Sequence, residues 1–206
     1  MTEVAVLDYG SGNLHSAVHA LSTVGAQVIV VSDCDTAMRA PALVVPGVGA
    51  FASCMAGLSA LGADDMIRRR VAAGLPLLGI CVGHQVLFSS GVEHGQRTAG
   101  VGVYPGTVER VPARRLPHMG WNQVWPGVGS TLFDQERRYY FVHSYAALTS
   151  ADVPADATCS WTTHDGVDLI AAVEWGSVLS CQFHPEKSGQ AGLALLRRWL
   201  HHVEVR

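Results

Sequence analysis

Short apolar runs that end in glycine, proline or polar residues recur along the first ninety residues. Four of them have strand length: Val4 to Leu7, Gln27 to Val31, Leu43 to Val45, and the run that starts at Pro76 and reaches Cys81. Uninterrupted apolar strands, as opposed to alternating ones, are typical of a parallel sheet covered on both faces. This part of the chain is therefore predicted to contribute the parallel strands of a central sheet.

Helical periodicity separates these runs. Leu14 to Val24 places apolar residues on one face and ends at Gly25, while Ala52 to Ala73 is largely helical with a break near Gly62. Alternation of strands and helices predicts an α/β fold, a doubly wound and mostly parallel sheet with helices on both faces. The basic run from Arg68 to Arg70 ends the second helical segment and is interpreted as a solvated face.

The second half of the chain has a different texture. After a glycine- and proline-rich stretch from Gly91 to about Trp125, strands are predicted at Tyr139 to Tyr145, Ala157 to Thr162, Leu169 to Glu174 and Val178 to Phe183. The last two are expected to form a hairpin, which adds an antiparallel extension to the sheet. A final amphipathic helix is predicted from about residue 191 to residue 203.

The segment Arg115 to Asn122 is predicted to be a loop, after a strand from Gly106 to Val111. It carries Met119 and Trp121. Exposed apolar side chains in a loop indicate contact with a partner, although a loop folded back over the core would explain them equally well.

Composition narrows the class of protein. The 206 residues suit one domain, 1–206, and the hydrophobic share of 49% against a charged share of 15% fits a sheet covered on both sides. A net charge of −3 leaves no basic surface for nucleic acid. Five cysteines without a Cys-x-x-Cys pair argue against a disulfide framework and a zinc site, so no metal or cofactor is expected. With neither a signal peptide nor a membrane-length apolar stretch, the expectation is a soluble, cytoplasmic protein with no membrane contact.

Cys81 has a glycine two residues away on either side, at the point where the fourth apolar run ends. This is the layout of a nucleophile elbow, in which a sharp turn from strand to helix exposes one side chain at the top of a sheet. The following helix is expected to continue through Val86 to Ser89 and Ser90, and its N-terminus would favour a thiolate. On the elbow alone, a buried structural thiol is an equally good interpretation.

A second glycine-containing turn, from Pro46 to Phe51, follows the third strand. Two glycines in four residues allow backbone N–H groups to face outward and bind an anion, although an ordinary strand-to-helix turn is the simpler interpretation. Because the carboxyl ends of parallel strands meet at one edge, this turn, Cys81 and Asp8 are predicted to share a pocket.

His184 and Glu186 come directly after the last predicted strand. In extended backbone, residues two apart point to the same side, so the carboxylate can orient the imidazole, which in turn can stabilise a thiolate. Such a pair alone is more often a surface ion pair. With Cys81 at the same sheet edge, a Cys-His-Glu triad becomes the stronger interpretation.

These residues together resemble a known family. Gly79-x-Cys81-x-Gly83-x-Gln85 with His184-Pro-Glu186 is similar to the class I (triad) glutamine amidotransferases, and the chain most resembles the glutaminase subunits of imidazole glycerol phosphate synthase. The more discriminating motifs occur from the first strand almost to the last helix. They are Asp8-Tyr-Gly-Ser-Gly-Asn13, Pro46-Gly-Val-Gly-Ala-Phe51, Pro117-His-Met-Gly-Trp-Asn122, Phe141-Val-His-Ser-Tyr145 and Gln182-Phe-His-Pro-Glu-Lys-Ser188.

The resemblance implies a flavodoxin-like fold and a glutaminase mechanism. Cys81 would attack the side-chain amide of L-glutamine, and the oxyanion would be met by backbone N–H groups of Val82 and of Val48 or Gly49. The amino-acid end of the substrate would be held by five residues at matching positions. These are Gln85, Glu93, His143, Ser144 and Tyr145.

The resemblance also implies a partner, a (β/α)₈-barrel cyclase subunit of the HisF type in a heterodimer, to which ammonia passes. The interface would include Tyr9, Asn13, Met119, Trp121 and Lys187, the only lysine in the chain. One departure is His84, at a position that is commonly methionine in this family.

Two alternatives are kept. The chain could be the glutaminase of another synthase, such as anthranilate or aminodeoxychorismate synthase, which would not be expected to carry the motif Pro117 to Asn122. It could also be a non-catalytic regulatory partner, which the intact Cys81, His184 and Glu186 argue against.

Overall fold

The computed structural model describes residues 1–205. Within them there are thirteen strands and six helices. The strands are β1 (Glu3–Leu7), β2 (Gln27–Val31), β3 (Ala42–Gly47), β4 (Leu77–Cys81), β5 (Phe88–Glu93), β6 (Gln96–Ala99), β7 (Tyr104–Arg110), β8 (His118–Val124), β9 (Arg137–His143), β10 (Tyr145–Ala146), β11 (Thr158–His164), β12 (Val167–Trp175) and β13 (Val178–Cys181). The helices are α1 (Leu14–Thr23), α2 (Cys34–Arg39), α3 (Phe51–Leu61), α4 (Ala63–Ala72), α5 (Val82–Gln85) and α6 (Gly189–Glu204), with 3₁₀ turns at Ser150–Asp152 and Pro185–Lys187.

Seven strands form the central sheet in the order β11-β12-β13-β4-β3-β1-β2. The pairs from β13 through β4, β3 and β1 to β2 are parallel, and β11 and β12 are antiparallel to their neighbours. The prediction of a mostly parallel, doubly wound α/β sheet with an antiparallel extension is confirmed. The register sets Gly47 of β3 beside Cys81 of β4, so both lie at the carboxyl edge.

The apolar runs are explained by the position of these strands. Every residue of β3 and of β4 is buried, because helices cover both faces of the sheet. The remaining strands form a second sheet, in the order β10-β7-β5-β6, and a two-stranded ribbon of β8 and β9. No helix in the described part of the chain is long and apolar enough to cross a bilayer.

The helix that follows Cys81 is shorter than predicted. α5 ends at Gln85, and β5 starts at Phe88, so Ser89 and Ser90 lie in a strand. The prediction was wrong because Val86, Leu87 and Phe88 are all fully buried, a continuous apolar run that no single helix face provides. Pairing of β5 with β7 then fixes the extended backbone.

The segment predicted as a loop from Arg115 to Asn122 is also different, since residues 118–124 form β8. β8 pairs with β9 in a register that sets Trp121 opposite Tyr140 and His118 opposite His143. Alternation along the strand buries His118 and exposes Met119 and Trp121. This pairing with a distant segment gives no local periodic signal. A further element that the sequence did not indicate is α2, capped by Asp33.

Arg70 does not belong to a solvated face, although Arg68 and Arg69 form exposed ion pairs with Asp64 and Asp65. The Arg70 side chain is fully buried and donates five hydrogen bonds. The acceptors are backbone carbonyl oxygens of Ala37, Met38, Ala40 and Pro76. Arg70 thus ties α4 to the end of α2 and to the amino ends of β3 and β4.

Candidate active site

Cys81 sits in a strained turn between β4 and α5. Its backbone has φ 56° and ψ −112°, a conformation that an L residue adopts only when the surroundings impose it. Glycine is required nearby, because a Cβ at Gly83 would lie 1.9 Å from the carbonyl oxygen of Val45, and one at Gly79 would lie 2.7 Å from that of Gly83. The geometry is that of a nucleophile elbow.

His184 and Glu186 lie beside this turn because β13 runs parallel to β4. The His184 backbone is extended and its N–H donates to the carbonyl of Tyr140. Glu186 then lies in a 3₁₀ turn, whereas extended backbone was predicted, and its Oε1 is 2.7 Å from Nδ1 of His184. Both side chains are almost completely buried.

The charge state of His184 is controlled by its neighbours. Burial alone would lower its pKa, but the Cys81 thiol and the Glu186 carboxylate oppose this and raise the pKa to about 9. Nδ1 is committed to Glu186, and Nε2 has no hydrogen-bond partner among the described residues. The ring nitrogen available to the thiol and to a leaving group is therefore Nε2.

A cavity of about 230 Å³ opens beside Cys81 and His184. It is large enough for a small amino acid, and besides His184 its wall carries the acidic Glu93 and the basic Lys187. Opposite charges in a small cavity suit a zwitterionic ligand. The other lining residues are Val48, Gly49, Val82, Gln85, Val142, His143, Ser144 and Tyr145.

All five residues predicted to hold glutamine border this cavity. Glu93 accepts a hydrogen bond from the N–H of Phe51 at the start of α3, which fixes its carboxylate. The ring of His143 is bonded to His118 and to the carbonyl of Tyr145, and burial lowers its pKa to about 3, so the ring is neutral.

The backbone N–H groups predicted to donate to the oxyanion differ in their hydrogen-bond partners and in their position at the cavity. Val82 is the first residue of α5, so its N–H has no partner within the helix, and it borders the cavity. The N–H of Val48 donates to the Ser11 hydroxyl, which in turn donates to the Val48 carbonyl. Val48 borders the cavity but Ser11 does not, so in this conformation the Val48 N–H is committed to Ser11, and a donor at Val48 or Gly49 stays a prediction. Gly49 borders the cavity, with φ 91°.

The residues predicted to face a partner are mostly exposed. Met119 is 62% exposed, Trp121 is 47% exposed, and Lys187 is exposed at the cavity rim. Asn13 is half-buried and caps α1 through a bond from the N–H of Ser16. Tyr9 differs from the others, since it is only 6% exposed: its ring lies close to Gly57, and its hydroxyl donates to the Pro46 carbonyl.

Two polar residues close to the site, the half-buried Ser11 and the fully buried Gln182, were not singled out as functional from sequence. Ser11 holds the turn at Val48, and Gln182 lies between Cys81 and Gln85. A signal for Gln182 existed, since it lies two residues before His184 and therefore shares a strand face with it. No cluster of side chains suited to a metal ion occurs among residues 1–205.

The chain is similar to known proteins over nearly its whole length. The family model for class-I glutamine amidotransferases matches residues 5–203. The imidazole glycerol phosphate synthase subunit HisH of Mycolicibacterium paratuberculosis is 53% identical over 203 residues, covering 97% of this chain and 98% of that protein. The HisH subunit of Mycobacterium tuberculosis is 55% identical over 200 residues, covering 96% of each.

A solved structure described as a glutamine amidotransferase has the same fold, with a TM-score of 0.77 at 23% identity and 98% coverage of both chains. The family match and the two full-length relatives confirm the resemblance. The chain is a glutamine amidotransferase and belongs to the HisH family of imidazole glycerol phosphate synthase subunits.

Proposed function

We propose that the chain hydrolyses L-glutamine to glutamate and ammonia, and supplies the ammonia to a cyclase subunit for imidazole glycerol phosphate synthesis, a step of histidine biosynthesis. The observation that carries this is one cavity lined by the Cys81 thiol, by His184, which is paired with the buried Glu186, and by the acidic Glu93. The HisH relatives favour this synthase over the anthranilate and aminodeoxychorismate types.

In the proposed reaction, Cys81 Sγ attacks the side-chain amide carbon of glutamine, and the C–N bond breaks as His184 Nε2 gives its proton to the departing ammonia. A thioester remains. Water then attacks it, His184 accepts the water's proton, and glutamate leaves as the thiol is restored. Glu186, through its 2.7 Å bond to Nδ1, holds the ring with Nε2 toward the thiol.

Around the reacting atoms, Val82 and Gly49 would supply N–H groups to the oxyanion. Loss of one such donor typically costs about 3 kcal/mol in transition-state stabilisation. Glu93 would receive the substrate ammonium, and Gln85 with residues 143–145 would form the rest of the wall.

The exposed surface beside the cavity would receive the partner, a (β/α)₈ cyclase of the HisF type, in a heterodimer. Met119 and Trp121 project from β8, and Trp121 lies against Gly189, close in sequence to Lys187 at the cavity rim. A large exposed aromatic and a methionine are characteristic of protein interfaces. We further propose that residues 1–206 form a single amidotransferase domain that works in the cytoplasm.

The test is to purify the chain with its cyclase and to measure glutamine hydrolysis with and without the cyclase's nucleotide ligand. Hydrolysis is expected to be weak for the chain alone and to rise strongly with cyclase and ligand. Trp121→Ala should weaken this stimulation without unfolding the chain. Full hydrolysis by the isolated chain, unchanged by cyclase or ligand, would contradict the proposal.

A further inference from the structure

Gln182 is a fully buried amide at the end of β13, next to the nucleophile. Its backbone N–H donates to the carbonyl of Ala171 at 2.9 Å, so the residue is fixed to the sheet. A buried carboxamide has to be hydrogen-bonded, and the identity of its partners shows what it does.

Two partners hold the Gln182 side chain. Its Oε1 accepts a hydrogen bond from Nε2 of Gln85 at 2.9 Å. Its Nε2 lies 3.9 Å from Cys81 Sγ, with the geometry of an N–H donor to sulfur. This distance is at the long end for sulfur, and such contacts shorten when the acceptor is charged.

The orientation of the amide is fixed by a backbone carbonyl. Nε2 of Gln85 also donates to the carbonyl oxygen of Tyr145 at 2.8 Å. A carbonyl can only accept, so Gln85 must direct its NH₂ group there, and its second hydrogen then meets Oε1 of Gln182. If the Gln182 amide were reversed, two NH₂ groups would face each other. Gln182 must therefore direct its own N–H toward Cys81.

The Tyr145 carbonyl is itself anchored, because Nδ1 of His143 is 3.0 Å away and donates to it. His143 Nε2 then accepts from Nδ1 of His118 at 3.0 Å, and His118 Nε2 accepts from Nδ2 of Asn122 at 3.1 Å. Both rings are neutral, since burial lowers the pKa of His118 to about 4 and that of His143 to about 3. The anchor extends from β8 to the cavity wall.

We propose that Gln182 is a further catalytic residue, whose carboxamide N–H donates to Cys81 Sγ and stabilises the thiolate, with Gln85 and the Tyr145 carbonyl fixing its orientation. This inference rests on the proposed function, in which Cys81 is the nucleophile. It assigns the thiolate a second source of stabilisation besides His184, one that is uncharged at every pH.

Other ionisable groups also act on this sulfur and have to be held constant in a test. Cys54, Tyr9, Cys181 and His184 interact with it electrostatically, and Glu93 and Lys187 share its cavity. None of them bonds to Gln182 in the described structure, so a change confined to Gln182 leaves this set in place.

The experiment measures the rate at which iodoacetamide alkylates Cys81 between pH 5 and pH 10, followed by mass spectrometry of the peptide that contains Cys81. A hydrogen bond to a charged group is typically equivalent to about one to two pH units. Gln182→Met, of similar length but without an N–H, is therefore expected to move the midpoint of the pH–rate curve upward by about that amount. Gln182→Glu should move it further, because it puts a carboxylate beside the sulfur.

Ser180→Ala is the matched control. Ser180 is fully buried on the same face of β13, but its hydroxyl contacts His84 and Tyr104 instead of Cys81. In Ser180→Ala, the midpoint of the pH–rate curve for Cys81 alkylation should stay at the wild-type value. Gln85→Met, which keeps Gln182 but frees its amide to rotate, should give a smaller upward shift than Gln182→Met. Gln85→Met also tests the inference if a Gln182 variant fails to fold.

An unchanged midpoint in folded Gln182→Met or Gln182→Glu protein would overturn the inference, as would an equal shift in Ser180→Ala. The proposed function is tested separately by glutamine hydrolysis in Cys81→Ala. If that variant remained active, the proposed function would fail, whatever the alkylation of Gln182 variants showed.

Discussion

Buried ionic groups lie at the amino edge and at the carboxyl edge of the central sheet, where strands β3 and β4 begin and end. The two sites differ in how many of their polar atoms have a hydrogen-bond partner. At the amino edge, the Arg70 guanidinium has five N–H donors and makes five hydrogen bonds to backbone carbonyls. At the carboxyl edge, the His184–Glu186 pair leaves His184 Nε2 and Glu186 Oε2 buried without a partner among the described residues.

This difference indicates that the Arg70 site stabilises the fold and that the His184–Glu186 site is suited to react. A buried charge with every donor satisfied holds elements together and has no hydrogen-bonding capacity left for a ligand. A buried pair with open positions costs stability, and those positions are where a proton can be moved. Burial lowers the pKa of Arg70 to about 10, so it stays charged at neutral pH, while the partners of His184 raise its pKa to about 9.

The largest expected effect is at the carboxyl edge. Glu186→Gln keeps the shape of the side chain but removes the charge that orients His184 and stabilises its protonated form. We expect kcat for glutamine hydrolysis in the cyclase complex to fall by about 10⁴-fold, with little change in the urea denaturation midpoint. A loss below tenfold would mean that the buried pair is structural, like Arg70.

The amino edge should respond in the opposite way. Arg70→Met removes the Arg70 donors from the carbonyls of Ala37, Ala40 and Pro76, of which Pro76 keeps only the N–H of Leu43, and we expect it to lower the free energy of unfolding by about 3 to 5 kcal/mol. Arg69→Met is the control, since Arg69 forms an exposed pair with Asp65, and it should cost less than about 1 kcal/mol. Equal urea denaturation curves for the two variants would contradict the structural role.

Sequence patterns predicted one edge of the sheet better than the other. The elbow glycines around Cys81 and the adjacent His184 and Glu186 have a recognisable spacing, because local backbone geometry dictates it. Arg70 looks like part of a basic helix end, and its burial depends on carbonyls of Ala37 and Ala40, which are 33 and 30 residues away along the chain. Gln182 shares a strand face with His184, which is a signal in the sequence, but what its side chain does depends on the amide of Gln85, far away along the chain.

The same reason explains the errors in secondary structure. β1, β3 and β4 were predictable because strands buried on both faces must be apolar throughout, and the edge strand β2 was predictable from its β-branched residues. β8 was not, because its extended form depends on pairing with β9, and its exposed Met119 and Trp121 were interpreted as loop residues. Tyr9 was placed at the interface by the family resemblance, yet its side chain is only 6% exposed and its hydroxyl donates to the Pro46 carbonyl.

The third expected effect is a loss of folding stability at acidic pH. Burial lowers the pKa of His84 to about 3, of His118 to about 4 and of His143 to about 3, so these rings stay neutral in the folded state while they take up protons in the unfolded one. The contribution of these neutral rings to the free energy of unfolding is complete above pH 6.5 and is lost as the pH falls. Linkage gives about 0.7 kcal/mol per ring between pH 7 and pH 6.

His184 has the opposite sign. Its folded pKa is raised, so its contribution is complete below pH 6.5 and is lost as the pH rises through about 9. Between pH 7 and pH 6 it offsets one of the three neutral rings, which leaves a net loss of about 1.5 kcal/mol. Urea denaturation at both pH values measures this, and equal stability at pH 6 and pH 7 would contradict the neutral rings.

The smallest expected effect tests an unsatisfied group outside the triad. His84 Nδ1 is paired with the Ser180 hydroxyl, but Nε2 is buried with no partner among the described residues. His84→Met removes this atom, and the Ser180 hydroxyl keeps its contact with Tyr104. We expect the variant to gain up to about 1 kcal/mol at pH 7 and to lose less stability at pH 6. Clear destabilisation would show that His84 Nε2 has a role.

The proposed hydrolysis depends most on the thiol of Cys81. The measurement that tests it most directly compares glutamine-dependent and ammonia-dependent synthesis of imidazole glycerol phosphate by the complex of the Cys81→Ala chain with its cyclase. Ammonia-dependent synthesis should be unchanged, because the cyclase and the interface are intact, and glutamine-dependent synthesis should be lost. Glutamine-dependent synthesis at the wild-type rate in this complex would contradict the account.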